Sequence, residues 1–232
     1  MSQARANSGW RLALLSRTVL TMSNAADMSY IIPPQQERST RFLWRVLEAA
    51  ERILRRDGSE GLTMPAVAQE AGVSVGGIYR RFQAKQALLR AVKDRHMARS
   101  EAAMAEAMEA GHGSLDEVVC SFLATLVGDS ALETESLFGV IMEPHRDDLV
   151  MNTRGQVSEA RQRASFALAL RPFRHQIAHD DPDAAIDMAF LMAVSVFMRR
   201  ATGKGATQPI DWPDLRRELA RAMIAYLRGP AD

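Results

Sequence analysis

Two short helical segments that meet at Gly72 constrain the fold of this chain more than any other feature. Residues 64–82 read MPAVAQEAGVSVGGIYRRF. Apolar side chains recur at helical spacing on both sides of the glycine: Val67, Ala71, Val73 and Ile78. Thr63 and Ser74 are residue types that cap helix N-termini, and glycine readily adopts the left-handed conformation that ends a helix. The pattern predicts a helix-turn-helix with Gly72 in the turn.

In a helix-turn-helix the second helix enters the DNA major groove with its N-terminal residues. The residues predicted to face DNA are Val75, Gly76, Gly77, Tyr79 and Arg80. A phosphate-binding loop is the alternative for the glycines, but the stretch lacks the lysine and the preceding strand that such a loop needs. Phe82 is predicted to lie in the core.

Helical periodicity extends over nearly the whole chain, and no segment shows the alternation typical of a strand. The predicted helices are 39–57, 64–72, 74–82, 84–111, 114–126, 131–142, 147–178, 184–200 and 214–228. Pro172 is expected to bend the long seventh helix. The sequence therefore predicts an all-α fold of about nine helices.

Charge divides the chain into two parts. Residues 38–100 carry 13 Lys and Arg against 6 Asp and Glu, a net charge of +7, whereas residues 101–232 carry 13 against 20, a net charge of −7. A basic module beside an acidic one is typical of a nucleic-acid-binding domain joined to a domain with another task. The predicted organisation follows this division: a disordered extension over 1–37, a DNA-binding domain over 38–84, a helical regulatory and dimerisation domain over 85–228, and a tail over 229–232.

Cysteine usage and hydropathy indicate a cytoplasmic protein. Cys120 is the only cysteine, which excludes an intramolecular disulfide framework. We expect it to pack in the core beside Val119 and Leu123. No apolar run approaches the roughly 20 residues that span a bilayer, so no membrane association is predicted.

The stretch AGVSVGGIYRRF, with Thr63, Lys85 and Leu88-Leu89 around it, resembles the DNA-binding domain of the TetR family of transcriptional regulators over residues 40–95. The resemblance implies that Thr63 and Lys85 contact phosphates and that Tyr79 contacts phosphate or a thymine methyl group. Arg80 is the candidate for base reading, because arginine binds guanine O6 and N7 together. Gly77 departs from the hydroxyl residue common in the family. The predicted DNA-binding residues are Arg41, Arg45, Thr63, Ser74, Val75, Gly76, Gly77, Tyr79, Arg80 and Lys85. For Arg41, Arg45 and Arg81, exposure to solvent without a DNA contact is the alternative.

The acidic part of the chain offers candidates for ligand binding and dimerisation. Methionine adapts to irregular apolar shapes, which favours a pocket for an apolar effector. The predicted ligand-binding residues are Phe122, Met142, Met188 and Met192. The predicted interface of a homodimer, which the resemblance also implies and a palindromic operator requires, comprises Phe190, Val194, Phe197, Leu215, Leu219 and Met223.

Metal binding and catalysis are weighed and not favoured. His175 and His179 are one helical turn apart, and a separate cluster contains Glu143, His145, Asp147 and Asp148. No third metal ligand can be named, and no catalytic set at a recognisable spacing accompanies them. We predict no metal, no cofactor and no enzymatic activity. The leading hypothesis is a DNA-binding repressor released by a small molecule; the alternatives are an activator and a divergent member that acts through protein partners.

Overall fold

The computed structural model describes residues 37–128, 148–202 and 210–229. Within these ranges it contains eight α-helices, one 3-10 helix and no strand. The helices are α1 (Glu37–Gly61), α2 (Met64–Ala71), α3 (Val75–Arg81), α4 (Lys85–Glu109), α5 (Leu115–Val127), α6 (Leu149–Leu170), α7 (Pro182–Ala201) and α8 (Trp212–Arg228), with the 3-10 helix at Arg171–Gln176. The all-α prediction is confirmed. The predicted extension apart from Glu37, and the predicted helix over 131–142, lie outside the described residues.

A first hydrophobic core joins α1, α2, α3 and the first half of α4. Its fully buried side chains include Ile53, Val67, Ile78, Phe82 and Val92. The core thus extends beyond residue 84, where the sequence divided the domains, because the first turns of α4 cover the other three helices. α1 is interrupted at Gly58, whose φ is 68°, and this is where the sequence predicted the end of the first helix.

A second core lies among the rest of α4 and the helices α5 to α8. It is built around three aromatic rings, those of Phe122, Phe166 and Phe190, whose centroids are 4.4, 5.6 and 6.4 Å apart in the three pairings. α4 supplies Met104 and Met108 to this core. The helix α4 therefore contributes to both cores and joins them as one continuous element.

Two expectations about the C-terminal helices are wrong. Pro172 does not bend a single helix over 147–178; the α-helix ends at Leu170, and the proline lies in the first turn of the 3-10 helix that follows. Proline lacks the N–H that an α-helix needs at this point, which explains the change. Cys120 is exposed rather than packed in the core, because the buried face of α5 runs through Val118, Val119 and Phe122.

Candidate DNA-binding site

The turn between α2 and α3 is closed by local hydrogen bonds. Thr63 Oγ1 accepts a hydrogen bond from the Ala66 amide at 3.2 Å and caps α2. At the other end Gly72 has φ 61° and ψ 44°, and the amides of Gly72 and Val73 donate to carbonyls of the last turn at 3.1 and 3.0 Å. A left-handed residue at this point strongly favours glycine. The structure thus contains the predicted helix-turn-helix.

The helix α3 exposes one face and buries the other. Ser74 Oγ caps it by accepting a hydrogen bond from the Gly77 amide at 3.0 Å. Ile78 is fully buried in the first core, whereas Val75 and Tyr79, which are one turn apart on the neighbouring face, are 37% and 51% exposed. Arg80 and Gly76 are exposed beside them. An exposed tyrosine and arginine on adjoining positions form a surface suited to base edges and phosphates.

The two glycines at the start of α3 have different surroundings. A Cβ at Gly76 would meet no atom within 4 Å. A Cβ at Gly77 would lie 3.0 Å from Ser74 Oγ and 3.3 Å from the ring of Phe42 on α1. The close approach of Phe42 gives a physical reason for glycine at the position where the sequence departs from the family pattern.

We expect Gly76→Ala and Gly77→Ala to differ in stability. Alanine favours helix over glycine by up to about 1 kcal/mol, and at position 76 nothing opposes this gain. At position 77 the Phe42 ring must shift, so Gly77→Ala should be less stable than Gly76→Ala by about 1 kcal/mol. Urea unfolding followed by circular dichroism measures the difference, and equal stability of the two variants would contradict the role assigned to Phe42.

Several basic side chains near the turn have partners within the protein. Arg45 Nη2 donates to the carbonyls of Ala71 and Gly72 at 2.6 and 3.1 Å. Its guanidinium therefore holds the C-terminal end of α2, a contact that the sequence did not indicate for this predicted DNA-binding residue. Lys85 Nζ donates to the Ser59 carbonyl at 2.7 Å but remains exposed at the start of α4.

Arg81 is a structural residue of the first core. Its side chain is only 8% exposed and donates to Ser39 Oγ on α1 at 3.1 Å. Burial lowers the pKa of its guanidinium below the ordinary value. The neighbouring Arg80 and the more distant Arg41 are exposed. The structure therefore separates the adjacent arginines, with Arg80 on the outer face of α3 and Arg81 on the inner one.

A cavity of about 340 Å³ lies among α4, α5, α6 and α7 in the C-terminal half. Its apolar lining is Met97, Leu126, Val127, Phe190, Val194, Phe197 and Met198. Its polar lining is His96, Ser100, Thr125, Ser158, Glu159 and Gln162. A concave apolar space with a few polar groups is typical of a small-molecule site.

Three of the four predicted ligand-binding residues do not line this cavity. Phe122 is fully buried in the second core, Met188 is 45% exposed on α7, and Met192 packs against the second core. Met142 lies outside the described residues. Methionine content alone does not indicate which face of a helix meets a cavity, and ligand binding by these four residues stays a prediction.

The predicted dimer residues are largely internal. Phe190, Phe197 and Met223 are at most 7% exposed within the single chain, and Phe190, Val194 and Phe197 line the cavity instead. Leu219 is partly buried against the second core. Leu215 is partly buried against a smaller apolar cluster in the same half of the chain. The apolar side chains that α7 exposes are Met188 and Leu191, at 45% and 50%. Because α7 carries apolar side chains on two faces, the sequence pattern did not indicate which face packs against the other helices of the chain.

His96 connects the cavity with α1. Its ring lines the cavity, and burial lowers its pKa, with an opposing effect from the nearby Glu51 of α1. Glu51 in turn pairs with Arg99 at 3.1 Å and with Arg95 at 3.5 Å. The side chain of His96 thus lies between the cavity and α1, the helix that packs against the helix-turn-helix.

The histidines weighed as metal ligands have other surroundings. His179 Nε2 is 2.6 Å from the Tyr226 carbonyl oxygen, and the centroids of the two rings are 4.6 Å apart, with the ring planes tilted by 47°. His175 is exposed on the 3-10 helix. Over residues 37–128, 148–202 and 210–229, no three side chains come together as a metal site. Nor does this part of the chain contain a helix with the length and apolar character needed to cross a membrane.

Comparisons with known proteins agree with this geometry. Residues 46–92 match the family model for bacterial regulatory proteins of the tetR family. A Mesorhizobium loti protein assigned to TetR-family transcriptional regulators is 22% identical with a TM-score of 0.64, over 83% of this chain and 98% of that one. The fatty acid degradation regulator FadR from Bacillus halodurans is 15% identical with a TM-score of 0.60, over 85% and 100%.

FadR from Bacillus subtilis, solved in complex with stearoyl-CoA, is 15% identical with a TM-score of 0.57, over 79% of this chain and 98% of that one. At these identities the likeness concerns the fold. No curated protein sequence matches the chain. The resemblance seen in the sequence is confirmed by the family match over the helix-turn-helix. Residues 46–92 therefore match the N-terminal domain of the TetR family of bacterial regulatory proteins, and the overall fold is similar to that of the solved structures named above.

Proposed function

We propose that the chain is a sequence-specific DNA-binding repressor that acts as a homodimer and is released from its operator by a small molecule. The observation that carries the proposal is the exposed face of α3, where Tyr79 and Arg80 stand out from a helix that is capped at Ser74 and anchored by the buried Ile78. A rigid helix with an exposed arginine is what base reading in the major groove requires.

The DNA-binding residues divide into two groups by chemistry. Arg80 reads bases, whereas Thr63 and Lys85 contact phosphates and position the domain. The Thr63 hydroxyl accepts the capping hydrogen bond and still has its own hydrogen to donate to a phosphate. The net charge of +7 over residues 38–100 adds attraction that does not depend on sequence.

Arg80→Ala and Lys85→Ala should have different effects on DNA binding. Loss of Arg80 removes about 1–3 kcal/mol of discrimination between the correct base pair and a wrong one, whereas loss of Lys85 weakens binding to all sequences and lowers the salt slope by about 1. Fluorescence anisotropy with the DNA upstream of the gene and with a scrambled duplex, at several salt concentrations, measures both effects.

Arg163→Ala is the matched control, because Arg163 is an exposed arginine on α6 that pairs with Asp187 far from α3. It should bind like the unmodified protein. The role assignment fails if Lys85→Ala changes the sequence preference and Arg80→Ala weakens all duplexes alike. The DNA-binding proposal itself fails if the unmodified protein shows no salt-dependent preference for any upstream duplex.

We propose that dimerisation uses the outer face of α7. Met188 and Leu191 lie one turn apart and are about half exposed. Exposed apolar side chains at helical spacing favour a helix-helix contact with a second copy. A two-fold dimer would present two α3 helices to half-sites about 34–36 Å apart.

We expect Leu191→Glu to convert the dimer to a monomer, because a carboxylate in an apolar interface loses its hydration without gaining a partner. Leu168→Glu is the control, since Leu168 is 62% exposed on α6 rather than α7. Analytical ultracentrifugation gives the molar mass of each variant. A Leu191→Glu protein that remains dimeric as firmly as Leu168→Glu would contradict this interface.

The position of the cavity supports the proposal that a ligand releases the protein from DNA. His96, Met97 and Ser100 on α4 line the cavity, and the same helix carries Leu88, Leu89 and Val92 of the first core. A ligand that binds one arrangement of α4 more tightly than another changes the population that can bind DNA. The stearoyl-CoA held by the Bacillus subtilis neighbour supports a small-molecule effector on this fold.

A further inference from the structure

We infer that the cavity takes a compact, apolar molecule that carries one positive charge, with the charge held at Glu159, and that it does not take an acyl-CoA. The inference rests on the proposed function, because it concerns the chemical class of the effector that the cavity of that proposal binds. Three observations support the inference: the charge of the lining residues, the volume of the cavity and the position of Gly155.

The charges of the cavity have one sign. Glu159 is the only formally charged side chain among the described lining residues, which include no lysine or arginine. Burial lowers the pKa of the remaining titratable group among these lining residues, His96, which favours its neutral imidazole. A carboxylate or phosphate group bound here would meet the like charge of Glu159 and no cation among the described lining residues, which is unfavourable.

The apolar wall suits a ring system of moderate size. Phe190, Phe197 and Val194 of α7 face the cavity together with Met97 of α4 and Met198. The faces of aromatic rings attract cations, and methionine adapts to the shape of a ligand. A volume of about 340 Å³ lies near the lower end of the roughly 300–1,000 Å³ range of ligand pockets. Such a space holds a compact molecule more readily than a long chain with a nucleotide head.

Gly155 keeps space open beside Glu159. The two residues are one turn apart on α6 and both line the cavity. Glycine inside a helix costs about 0.5–1 kcal/mol relative to alanine, yet a Cβ at position 155 would meet no atom within 4 Å. The missing side chain therefore enlarges the cavity next to the carboxylate. Glu159 itself is exposed and has no ion-pair partner among the described residues, so it is accessible to a cationic group that enters from solvent.

Binding of matched probes to the full chain, measured by isothermal titration calorimetry without DNA, tests the inference. The probes are 1-naphthylmethylamine, 1-naphthylmethanol and 1-naphthoic acid, which share a ring system and differ in charge, together with stearoyl-CoA. We expect the amine to bind roughly fivefold more tightly than the alcohol, and the acid at least about tenfold more weakly than the alcohol. Stearoyl-CoA should not compete with the amine.

Three variants locate the binding. Glu159→Gln should remove the advantage of the amine and leave the alcohol unchanged, whereas Gly155→Leu should weaken both because it fills the cavity. Glu106→Gln is the control, since Glu106 is an exposed carboxylate on α4 outside the lining. It should change neither affinity.

The inference is overturned if the acid binds as tightly as the amine, if stearoyl-CoA displaces the amine, if Glu159→Gln leaves the preference intact, or if none of the three naphthyl probes binds. These outcomes leave DNA binding by α3 untouched. Conversely, an amine that binds in the cavity but does not weaken operator binding contradicts the proposed release mechanism and leaves the inference on ligand class standing.

Discussion

Phe122→Ala is expected to lower the free energy of unfolding by about 3–5 kcal/mol, the cost of removing a fully buried aromatic side chain. Phe122 is inaccessible to solvent, and its ring centroid lies 4.4 Å from that of Phe166 and 5.6 Å from that of Phe190. Truncation would leave a void at the point where α5, α6 and α7 meet. Urea unfolding followed by circular dichroism measures the loss.

Leu149→Ala is the control for this experiment, because Leu149 is 77% exposed at the start of α6. Its free energy of unfolding should change by less than about 0.5 kcal/mol. All variants are compared at one protein concentration, since the stability of a dimer depends on it. A loss below about 1 kcal/mol for Phe122→Ala would contradict the central position of this ring in the second core.

Arg154→Ala should cost about 3 kcal/mol, because it removes the cation that Asp94 and Glu101 share and leaves Glu101 with Arg161 alone. Arg154 on α6 donates to Asp94 at 2.6 Å and to Glu101 at 2.5 Å, both on α4. The arginine is 11% exposed and Glu101 is 11% exposed. Arg163→Ala on the same helix is the matched control, since its pair with Asp187 is about half exposed and should contribute at most about 1 kcal/mol.

The effect of Arg154→Ala should shrink in acid. Burial alone would raise the pKa of Glu101, but hydrogen bonds from Arg161 and Arg154 outweigh burial and hold it below the ordinary value of about 4.5. The ion pair therefore contributes fully above that pH and is lost as the pH falls through the lower folded-state pKa. Unfolding curves at several pH values between about 7 and 3 should show the unmodified protein approaching the variant. A difference that stays constant over this range would contradict the role of Glu101.

The helix-turn-helix could be predicted from the sequence because local rules determine it. Thr63 and Ser74 cap helices through bonds to amides three residues later, and Gly72 supplies the one left-handed residue of the turn. Each of these depends on neighbours in sequence. The exposed face of α3 follows from the burial of Ile78 by the same periodicity.

The roles of the other arginines could not be predicted, because their partners are distant in sequence. Arg45 binds carbonyls at positions 71 and 72, and Arg81 binds Ser39. Nothing in the residues around either arginine indicates these contacts. The same holds for Gly77, since its constraint comes from Phe42 on another helix.

For a related reason, the sequence could not show which side of α7 lines the cavity and which side is exposed. A helix that is apolar on two faces gives a weak periodic signal, and of the adjacent residues Phe190 and Leu191 the first is buried and the second is half exposed. Only the packing of α5, α6 and α8 decides which of them is covered. The residues that line the cavity, His96 and Glu159 among them, form no recognisable motif in the sequence. They come together only in the folded structure.

Selection of duplexes from a random-sequence DNA pool by the full chain, followed by sequencing of the bound DNA, tests the central claim most directly. The account predicts enrichment of a palindrome with two half-sites one helical turn or a multiple of it apart, and loss of the preferred base contact in Arg80→Ala. Recovery of DNA without any shared sequence, or the same palindrome from Arg80→Ala with undiminished preference at every position, would contradict it.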